Sequence, residues 1–463
     1  MSGKSGYNFN PLSTMKSYRL FFLLAACLLP VLGPGTVSGA SASGITLRIM
    51  PEREVLTANQ SQRLVLQIYI DSVAPPVTTV DRPPLNLCLV IDRSGSMSGD
   101  RIVRAREAAL AIVDRLSEQD IFSLVTYDSH VETVFPAGHV TDKAALARQI
   151  RQIQPRGMTA LYGGVSQGAA ELRKHLDQKA IHRMLLISDG IANVGPASPD
   201  DLGRLGTALR KEGIAVTTVG LGLDYNENLM TQLAGRSDGN TYFVEAAADL
   251  PRILDAEFGD ALTVVANRAV LEIQLPEGVT PVRIIGREGN VRGNRVEVSF
   301  NQLYGGQQRY VLLEVDVAST PADQQRQLGK AVLRYQDIVS GTPQVTPAAD
   351  ATVAFSHETE KVQASTNTAV QQELLLNEAV IAKDAALDLA ASGRREEASV
   401  LLRQTAERMR SMPQAAAAPE VATQIGDLVT LSDRLEESEL DGRSQKAIRA
   451  ESYQLRNQQN VRQ

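Results

Sequence analysis

The chain has 463 residues, 43% of them hydrophobic, and its formal net charge is -6 at pH 7. This composition is that of a globular protein, and the length allows two to four domains of roughly 100–200 residues each. Tryptophan is absent and only 4% of the residues are aromatic, so aromatic platforms for sugars or single-stranded nucleic acid are not expected, and the negative charge argues against any nucleic-acid role.

Residues 1–42 are typical of a secretory signal peptide. Basic residues precede an apolar run at 20–29, and small residues follow up to Ala42. Cys27, preceded by Leu-Ala-Ala, also fits a bacterial lipoprotein motif, in which a lipid on this residue would anchor the protein. An uncleaved anchor helix is the third interpretation, although the run contains Pro30 and is shorter than the roughly 20 residues of a membrane span. Each interpretation predicts a secreted, periplasmic or envelope-associated protein that meets a membrane only through Cys27 or an uncleaved N-terminal segment.

Residues 43–84 contain two stretches, 45–49 and 64–70, that alternate apolar and polar side chains as half-buried antiparallel strands do. The same period of two returns at residues 266–360, between turns that contain glycine and proline. A β-sandwich is the economical prediction for this second part. Because the early strands need a partner sheet, we expect residues 43–84 to join the sandwich across an inserted domain.

The inserted part, residues 85–265, alternates strands with helices. Its clearest helix follows residue 100, where apolar residues recur from Ile102 to Leu116 at helical spacing. The alternation predicts a doubly wound α/β fold, with a mostly parallel sheet between two layers of helices. Further strands are predicted at 121–127, 131–135 (a candidate antiparallel edge strand), 184–188, 215–220 and 241–244, with helices at 142–153, 162–176, 199–211, 227–233 and 249–264.

Helices are predicted at 374–391, 395–409 and 421–435, which makes residues 366–440 a helical region. The piece 385–402 looks like one tetratricopeptide-type hairpin, although stacking repeats need about three copies. Residues 441–463 are polar, and we expect a mobile tail there.

A candidate site for a divalent cation begins where the first strand of the inserted domain ends. The apolar run from Leu87 to Ile91 is followed by Asp92, Ser94 and Ser96 at alternate positions. Ligands of parallel sheets collect at the carboxyl ends of the strands, and Mg²⁺ prefers oxygen ligands. Two further segments support a site at this edge. Thr159 lies in a loop before a helix, and Asp189 follows another apolar strand.

Together these residues resemble the von Willebrand factor A domain and its metal-ion-dependent adhesion site, over about residues 85–265. The resemblance implies that the hydroxyls of Ser94, Ser96 and Thr159 contact Mg²⁺ or Mn²⁺. It also implies that Asp92 and Asp189 act on the ion directly or through water. The wider arrangement, with strands before this domain and a sandwich after it, is loosely similar to bacterial relatives of inter-alpha-trypsin inhibitor heavy chains.

Other interpretations of the same residues are weaker. Residues 92–96 would also suit a turn that caps the following helix, because Asp and Ser are good capping residues. An EF-hand is excluded, since its sixth and twelfth loop positions would be Met97 and Val103 instead of Gly and Glu. We find no phosphate-binding loop, nucleophile motif or metal-ligand spacing of histidines, so we expect no enzyme activity.

The sequence therefore predicts a metal-dependent protein-binding protein, acting in adhesion or as a scaffold at the cell envelope or exterior. A divalent cation held mainly by hydroxyls keeps much of its positive charge, so an Asp or Glu carboxylate of a protein partner is the expected last ligand. The alternative is an accessory subunit that uses the same site to assemble or regulate an enzyme or transporter complex.

Overall fold

A computed structural model describes residues 44–73, 83–177, 179–189, 192–223, 225–261, 263–438 and 440–458. The predicted signal peptide, including Cys27, lies outside these ranges. Among the helices in the described ranges, none combines the length and the apolar character needed to cross a bilayer.

The strands are β1 (Ile45–Pro51), β2 (Val55–Thr57), β3 (Gln62–Ser72), β4 (Leu85–Asp92), β5 (Ile121–Tyr127), β6 (Val131–His139), β7 (Ile181–Ser188), β8 (Ile214–Leu221), β9 (Thr241–Val244), β10 (Val264–Gln274), β11 (Val279–Ile285), β12 (Asn290–Arg292), β13 (Arg295–Tyr304), β14 (Gln308–Val317), β15 (Gln325–Asp337), β16 (Pro343–Val345) and β17 (Ala349–Ser356). The α-helices are α1 (Asp100–Arg115), α2 (Lys143–Gln152), α3 (Leu161–Arg173), α4 (Pro199–Lys211), α5 (Glu227–Ser237), α6 (Leu250–Ala261), α7 (Thr359–Ala364), α8 (Thr368–Ala391), α9 (Arg395–Arg410), α10 (Pro413–Ala416), α11 (Pro419–Glu437) and α12 (Gly442–Arg456).

The α/β domain, from β4 to α6, is built on one sheet with the strand order β6-β5-β4-β7-β8-β9. The strands are parallel except for β6, which pairs antiparallel with β5 at the edge. Alternate residues of β4 face opposite layers of helices. Leu87 and Leu89 pack with α1, α2 and α6, whereas Cys88 and Val90 pack with α3, α4 and α5. The predicted doubly wound α/β fold is confirmed.

The strand order reverses between β4 and β7, and this reversal positions the candidate site. From β4 the chain passes to β5 on one side of the sheet, and β7 lies on the other side. Loops at the carboxyl ends of such neighbours diverge and leave a crevice. Asp92 is the last residue of β4, and Asp189 directly follows β7. The two carboxylates therefore meet at the mouth of this crevice.

The β-sandwich combines strands from both sides of the α/β domain. One sheet has the order β1-β3-β14-β11, and the other has the order β12-β13-β10-β15-β17-β2, with β16 paired to β15. β3 pairs with β14 from Gln62 opposite Val317 to Asp71 opposite Gln308, so the early strands do join the later ones. β11 was not predicted. A proline, Pro281, and an irregular register break its period of two, which an edge strand tolerates.

The helices α8 to α11 share a core of Leu and Ala side chains, as the sequence predicted. α8 also packs on the sandwich, where Val370 and Leu374 contact Val65 and Leu312. This second contact ties the helical region to the rest of the described chain.

The predicted polar tail is wrong for residues 442–456, which form α12. The Asp441 side chain begins this helix by accepting a hydrogen bond from the Ser444 amide at 2.8 Å. Lys446 and Tyr453 are buried against the α/β domain, and Tyr453 Oη donates to the carbonyl of Gly239 at 2.5 Å. Lys446, Ser452 and Tyr453 are the buried residues of this polar helix, and so sparse a pattern is not visible in composition.

Candidate metal centre

Asp92 lies at the base of the candidate site and is fully buried. Its Oδ1 accepts a hydrogen bond from the Ser94 amide at 2.8 Å, and its Oδ2 accepts one from Ser188 Oγ at 2.6 Å. Burial raises the pKa of Asp92 to about 6, although the bonds from Ser188 and Ser94 oppose the rise. The bonds from Ser94 and Ser188 fix the orientation of this carboxylate at the base of the site.

Ser94, Ser96 and Asp189 form a continuous cluster of oxygens beside Asp92. Ser94 Oγ and Ser96 Oγ are 3.1 Å apart, and Ser96 Oγ donates to Asp189 Oδ1 at 2.8 Å. The capping alternative is not supported, because the N-cap residue of α1 is Gly99 and no side chain forms a capping hydrogen bond there. Instead, the Ser96 hydroxyl donates to the Asp189 carboxylate, and the Ser94 hydroxyl lies beside that of Ser96.

Thr159 is brought to this cluster by backbone contacts of its loop. Gly95 N donates to Gly157 O at 3.1 Å, so the Thr159 loop lies against the loop of Ser94 and Ser96. Thr159 itself is 3% exposed, and its amide donates to Asn193 Oδ1 at 2.8 Å. The Asn193 amide returns a hydrogen bond to the Thr159 carbonyl at 3.1 Å. Asn193 comes four residues after Asp189 in the sequence, so these bonds tie the Thr159 loop to the chain that follows β7.

An ion-pair cluster that the sequence did not predict supports both loops. The carboxylate of Asp128, just after β5, accepts from Arg93 Nε at 2.8 Å and from Arg156 Nε at 2.9 Å. Burial raises the pKa of Asp128, but hydrogen bonds from Arg156, His130 and Arg93 outweigh burial and hold it below its ordinary value. Glu132 adds a second carboxylate, 2.7 Å from Arg93 Nη2. Asp128 thus links the residue beside Asp92 to the start of the Thr159 loop.

Gly157 is required where this loop turns. Its φ is +71°, a conformation that side chains with a Cβ rarely adopt. A Cβ there would also lie 2.8 Å from Ser129 Oγ, which accepts a hydrogen bond from the Met158 amide. The glycine allows the loop to approach the turn after β5 closely enough to be held there.

The oxygen cluster fits the geometry that Mg²⁺ demands. Neighbouring oxygens of an octahedron with bonds of 2.0–2.1 Å lie about 2.8–3.0 Å apart. The observed separations of 3.1 and 2.8 Å among Ser94, Ser96 and Asp189 are close to this spacing. Within the described ranges no group of three or more His, Cys, Asp or Glu side chains is arranged around a metal-sized space. The set of oxygens at this site is different in kind, since it contains two carboxylates and otherwise hydroxyls.

Comparison with known proteins agrees with this architecture. The family model of the von Willebrand factor type A domain matches residues 86–256. The protein sll0103 of Synechocystis sp. is 29% identical over 304 residues, which cover 64% of this chain and 71% of that protein. The inter-alpha-trypsin inhibitor heavy chain H3 of Rattus norvegicus is 30% identical over 169 residues, which cover 34% of this chain and only 18% of the heavy chain.

Among solved structures, a von Willebrand factor type A protein from Catenulispora acidiphila has a TM-score of 0.64 to this chain at 16% identity. The match covers 86% of this chain and 99% of that one, so it extends well beyond the α/β domain. At this identity the likeness concerns the fold alone. The α/β domain of this chain is a von Willebrand factor type A domain, carried between a β-sandwich and C-terminal helices.

Proposed function

We propose that the α/β domain binds a protein partner through a divalent cation, Mg²⁺ or Mn²⁺, held by Asp92, Ser94, Ser96, Thr159 and Asp189. The observation that carries the proposal is the oxygen cluster at the switch point of the sheet, where Ser96 Oγ lies 3.1 Å from Ser94 Oγ and 2.8 Å from Asp189 Oδ1. In this role the protein serves in adhesion or as a scaffold.

The donor set explains why a partner's carboxylate would be recognised. The bound cation supplies a positive charge that an external oxygen can coordinate. The hydroxyls of Ser94, Ser96 and Thr159 are neutral, so they leave much of that charge uncompensated. Asp92, whose oxygens accept hydrogen bonds from Ser94 and Ser188, acts on the cation directly or through water. An Asp or Glu side chain of the partner completes the coordination.

Apolar side chains at the rim favour a protein as the partner. Met158, next to Thr159, is 51% exposed, and Leu223, in the loop after β8, is 46% exposed. Methionine is enriched at protein interfaces relative to the rest of the protein surface. A small free anion would make no use of these exposed groups.

We further propose that the protein acts at the cell envelope or exterior and that it is not an enzyme. The first part rests on residues 1–42, which have the charged, apolar and small-residue order of a secretory signal. The second rests on the sequence, which contains no nucleophile or phosphate-binding motif, and on the likeness to inter-alpha-trypsin inhibitor heavy chains.

A pull-down from native envelope fractions, with crosslinking, tests the proposal. Wild-type protein is compared with Thr159→Ala and Asp189→Ala, in buffer with Mg²⁺ and in buffer with EDTA. We expect one partner to be retained in Mg²⁺ and lost with EDTA or with either substitution. Asp114→Ala is the matched control, because this aspartate is exposed near the end of α1.

Two outcomes would contradict the adhesion model. Capture that does not depend on metal and that neither substitution weakens would show that the site is not used. A partner bound on residues 366–440, with the metal site enclosed in a permanent complex, would support the accessory-subunit alternative.

A further inference from the structure

The guanidinium of Arg101 lies directly on the candidate ligand Asp189. Arg101 is the second residue of α1, and its side chain is 29% exposed. Its Nη1 forms an ion pair with Asp189 Oδ2 and lies 3.5 Å from the carbonyl oxygen of Ser96. The other oxygen of the same carboxylate, Oδ1, accepts the hydrogen bond from Ser96 Oγ. One oxygen of Asp189 therefore accepts the hydrogen bond from Ser96, and the other forms the ion pair with Arg101.

Gly222 leaves room for this guanidinium beside the site. A Cβ at Gly222 would lie 2.7 Å from Arg101 Nη2, and the φ of Gly222 is +73°. The loop after β8 therefore runs close to the arginine. Arg101 is confined between this loop and the carboxylate, so its charge stays near the site.

The other two arginines near the site differ from Arg101 in their partners. Arg93 and Arg156 both pair with Asp128, and both also lie within 4 Å of Glu132. The two positive charges of Arg93 and Arg156 face the two negative charges of Asp128 and Glu132, and among the described residues the side-chain ion pairs of these arginines go to those carboxylates. Arg101, by contrast, forms its ion pair with Asp189, a predicted metal ligand.

The position of Asp189 makes this charge effective. The side chain of Asp189 is 0% exposed, so little water lies between its carboxylate and the guanidinium to screen them. A positive charge in such a place lowers the affinity of the site for any cation and raises it for any anion. The charge of Arg101 would therefore repel a divalent cation and attract a partner's carboxylate.

We propose that Arg101 is a specificity-determining residue of the site, which weakens the binding of the divalent cation and strengthens the attraction of the loaded site for a partner's carboxylate. The inference rests on the proposed function. In this role Arg101 sets the relative affinities of the site for the divalent cation and for the partner's carboxylate, besides contributing to the stability of the fold.

Titration of the full chain with Mn²⁺ tests the first half, with free Mn²⁺ measured by electron paramagnetic resonance. The variants are Arg101→Gln, which removes the charge, and Arg101→Lys, which keeps it. Arg104→Gln is the matched control, since Arg104 lies on the same helix and pairs only with the exposed Asp100 and Glu107 in the described contacts. Asp189→Ala reports on the site itself.

We expect Arg101→Gln to lower the Kd for Mn²⁺ by about tenfold or more, the effect of one unit charge a few ångströms from a divalent ion in a partly screened site. Arg101→Lys and Arg104→Gln should stay near the wild-type value. An unchanged or higher Kd in Arg101→Gln, with Mn²⁺ binding still lost in Asp189→Ala, would overturn this inference alone. A wild-type protein that binds no Mn²⁺, or an Asp189→Ala variant that binds it equally well, would overturn the proposed metal site.

Acetate tests the second half on the Mn²⁺-saturated protein. Sodium acetate is added, with sodium chloride at equal ionic strength as the control, and displacement of Mn²⁺-bound water is followed by proton relaxation. We expect Arg101→Gln to need about tenfold more acetate than wild type. Equal acetate affinity in the two proteins would overturn this half of the proposal.

Discussion

Replacing Glu257 by alanine tests how the last helix of the α/β domain is held in place. Glu257 of α6 is fully buried and lies 2.9 Å from Arg183 Nη1 of β7. Its two oxygens also accept from Thr217 Oγ1 at 2.8 Å, Asn240 Nδ2 at 2.5 Å and Tyr242 Oη at 2.6 Å. One carboxylate thus joins α6 to three strands of the sheet.

The expected loss is large because Arg183 would remain buried without its counter-charge. Arg183 is 2% exposed, and its Nη2 also donates to Gln302 Oε1 at 2.6 Å and Tyr304 Oη at 2.5 Å in the sandwich. Removal of one partner of a buried ion pair costs about 3–5 kcal/mol. By contrast, Glu288 of the sandwich pairs with Arg236 of α5 on the surface, and such a pair contributes at most about 1 kcal/mol.

Urea unfolding followed by far-UV circular dichroism measures the difference, since the chain has no tryptophan for fluorescence. We expect Glu257→Ala to lose about 3–5 kcal/mol of unfolding free energy and Glu288→Ala less than about 1 kcal/mol. The double variant Arg183→Met with Glu257→Ala should lose less than the sum of the two single losses, because no unpaired charge remains. A loss below about 1 kcal/mol for Glu257→Ala, or losses that add within about 0.5 kcal/mol, would refute the reasoning.

Three further predictions follow from other parts of the structure. Asp128→Asn should loosen the Thr159 loop and raise the Kd for Mn²⁺ about tenfold, the effect of roughly 1.4 kcal/mol; a lower melting temperature with an unchanged Kd would limit Asp128 to stability. Burial lowers the pKa of His182 from its ordinary 6.5. As the pH falls below 6.5, the unfolded chain therefore binds a proton at this residue before the folded chain does. The buried neutral ring contributes its full stabilisation above pH 6.5, and this contribution is lost as the pH falls further. Urea midpoints at pH 7.5 and 5.5 should therefore differ less in His182→Gln than in wild type, and equal differences would contradict this. Lys446→Met removes the charge that lies 2.6 Å from Glu227 Oε2 and should speed hydrogen exchange in α12 by about tenfold or more, whereas unchanged exchange would show that Lys446 does not hold the helix.

The elements best predicted from the sequence are those whose signals are local. Strand β5 and helix α4 begin and end at the predicted residues. For α4 the reason is visible in the structure, since Ser198 and Asp201 form a capping box at its start and Pro199 is its first residue. β11 was not predicted because it lies at the edge of its sheet, where the alternation of apolar and polar residues is weak. α12 was not predicted because only a few of its residues are buried, so its sequence shows little helical periodicity.

The candidate site was predictable to the extent that topology fixes it. In a parallel sheet the carboxyl ends of neighbouring strands share one edge, so Asp92 and Asp189 had to approach each other once β4 and β7 were neighbours. Asp128 and Asn193 were not predicted, because their roles depend on how loops pack after the strands have assembled. The available signal was only a polar side chain soon after the end of a buried strand.

The most direct test of the central claim is the position of a bound ion in crystals of the full chain grown with Mn²⁺. We expect one anomalous-difference peak at the mouth of the crevice between β4 and β7, about 2.1–2.3 Å from the hydroxyls of Ser94 and Ser96. Thr159→Ala should weaken or remove that peak. A site at saturating Mn²⁺ that shows no peak, or a peak elsewhere on the domain with these hydroxyls uninvolved, would contradict the account.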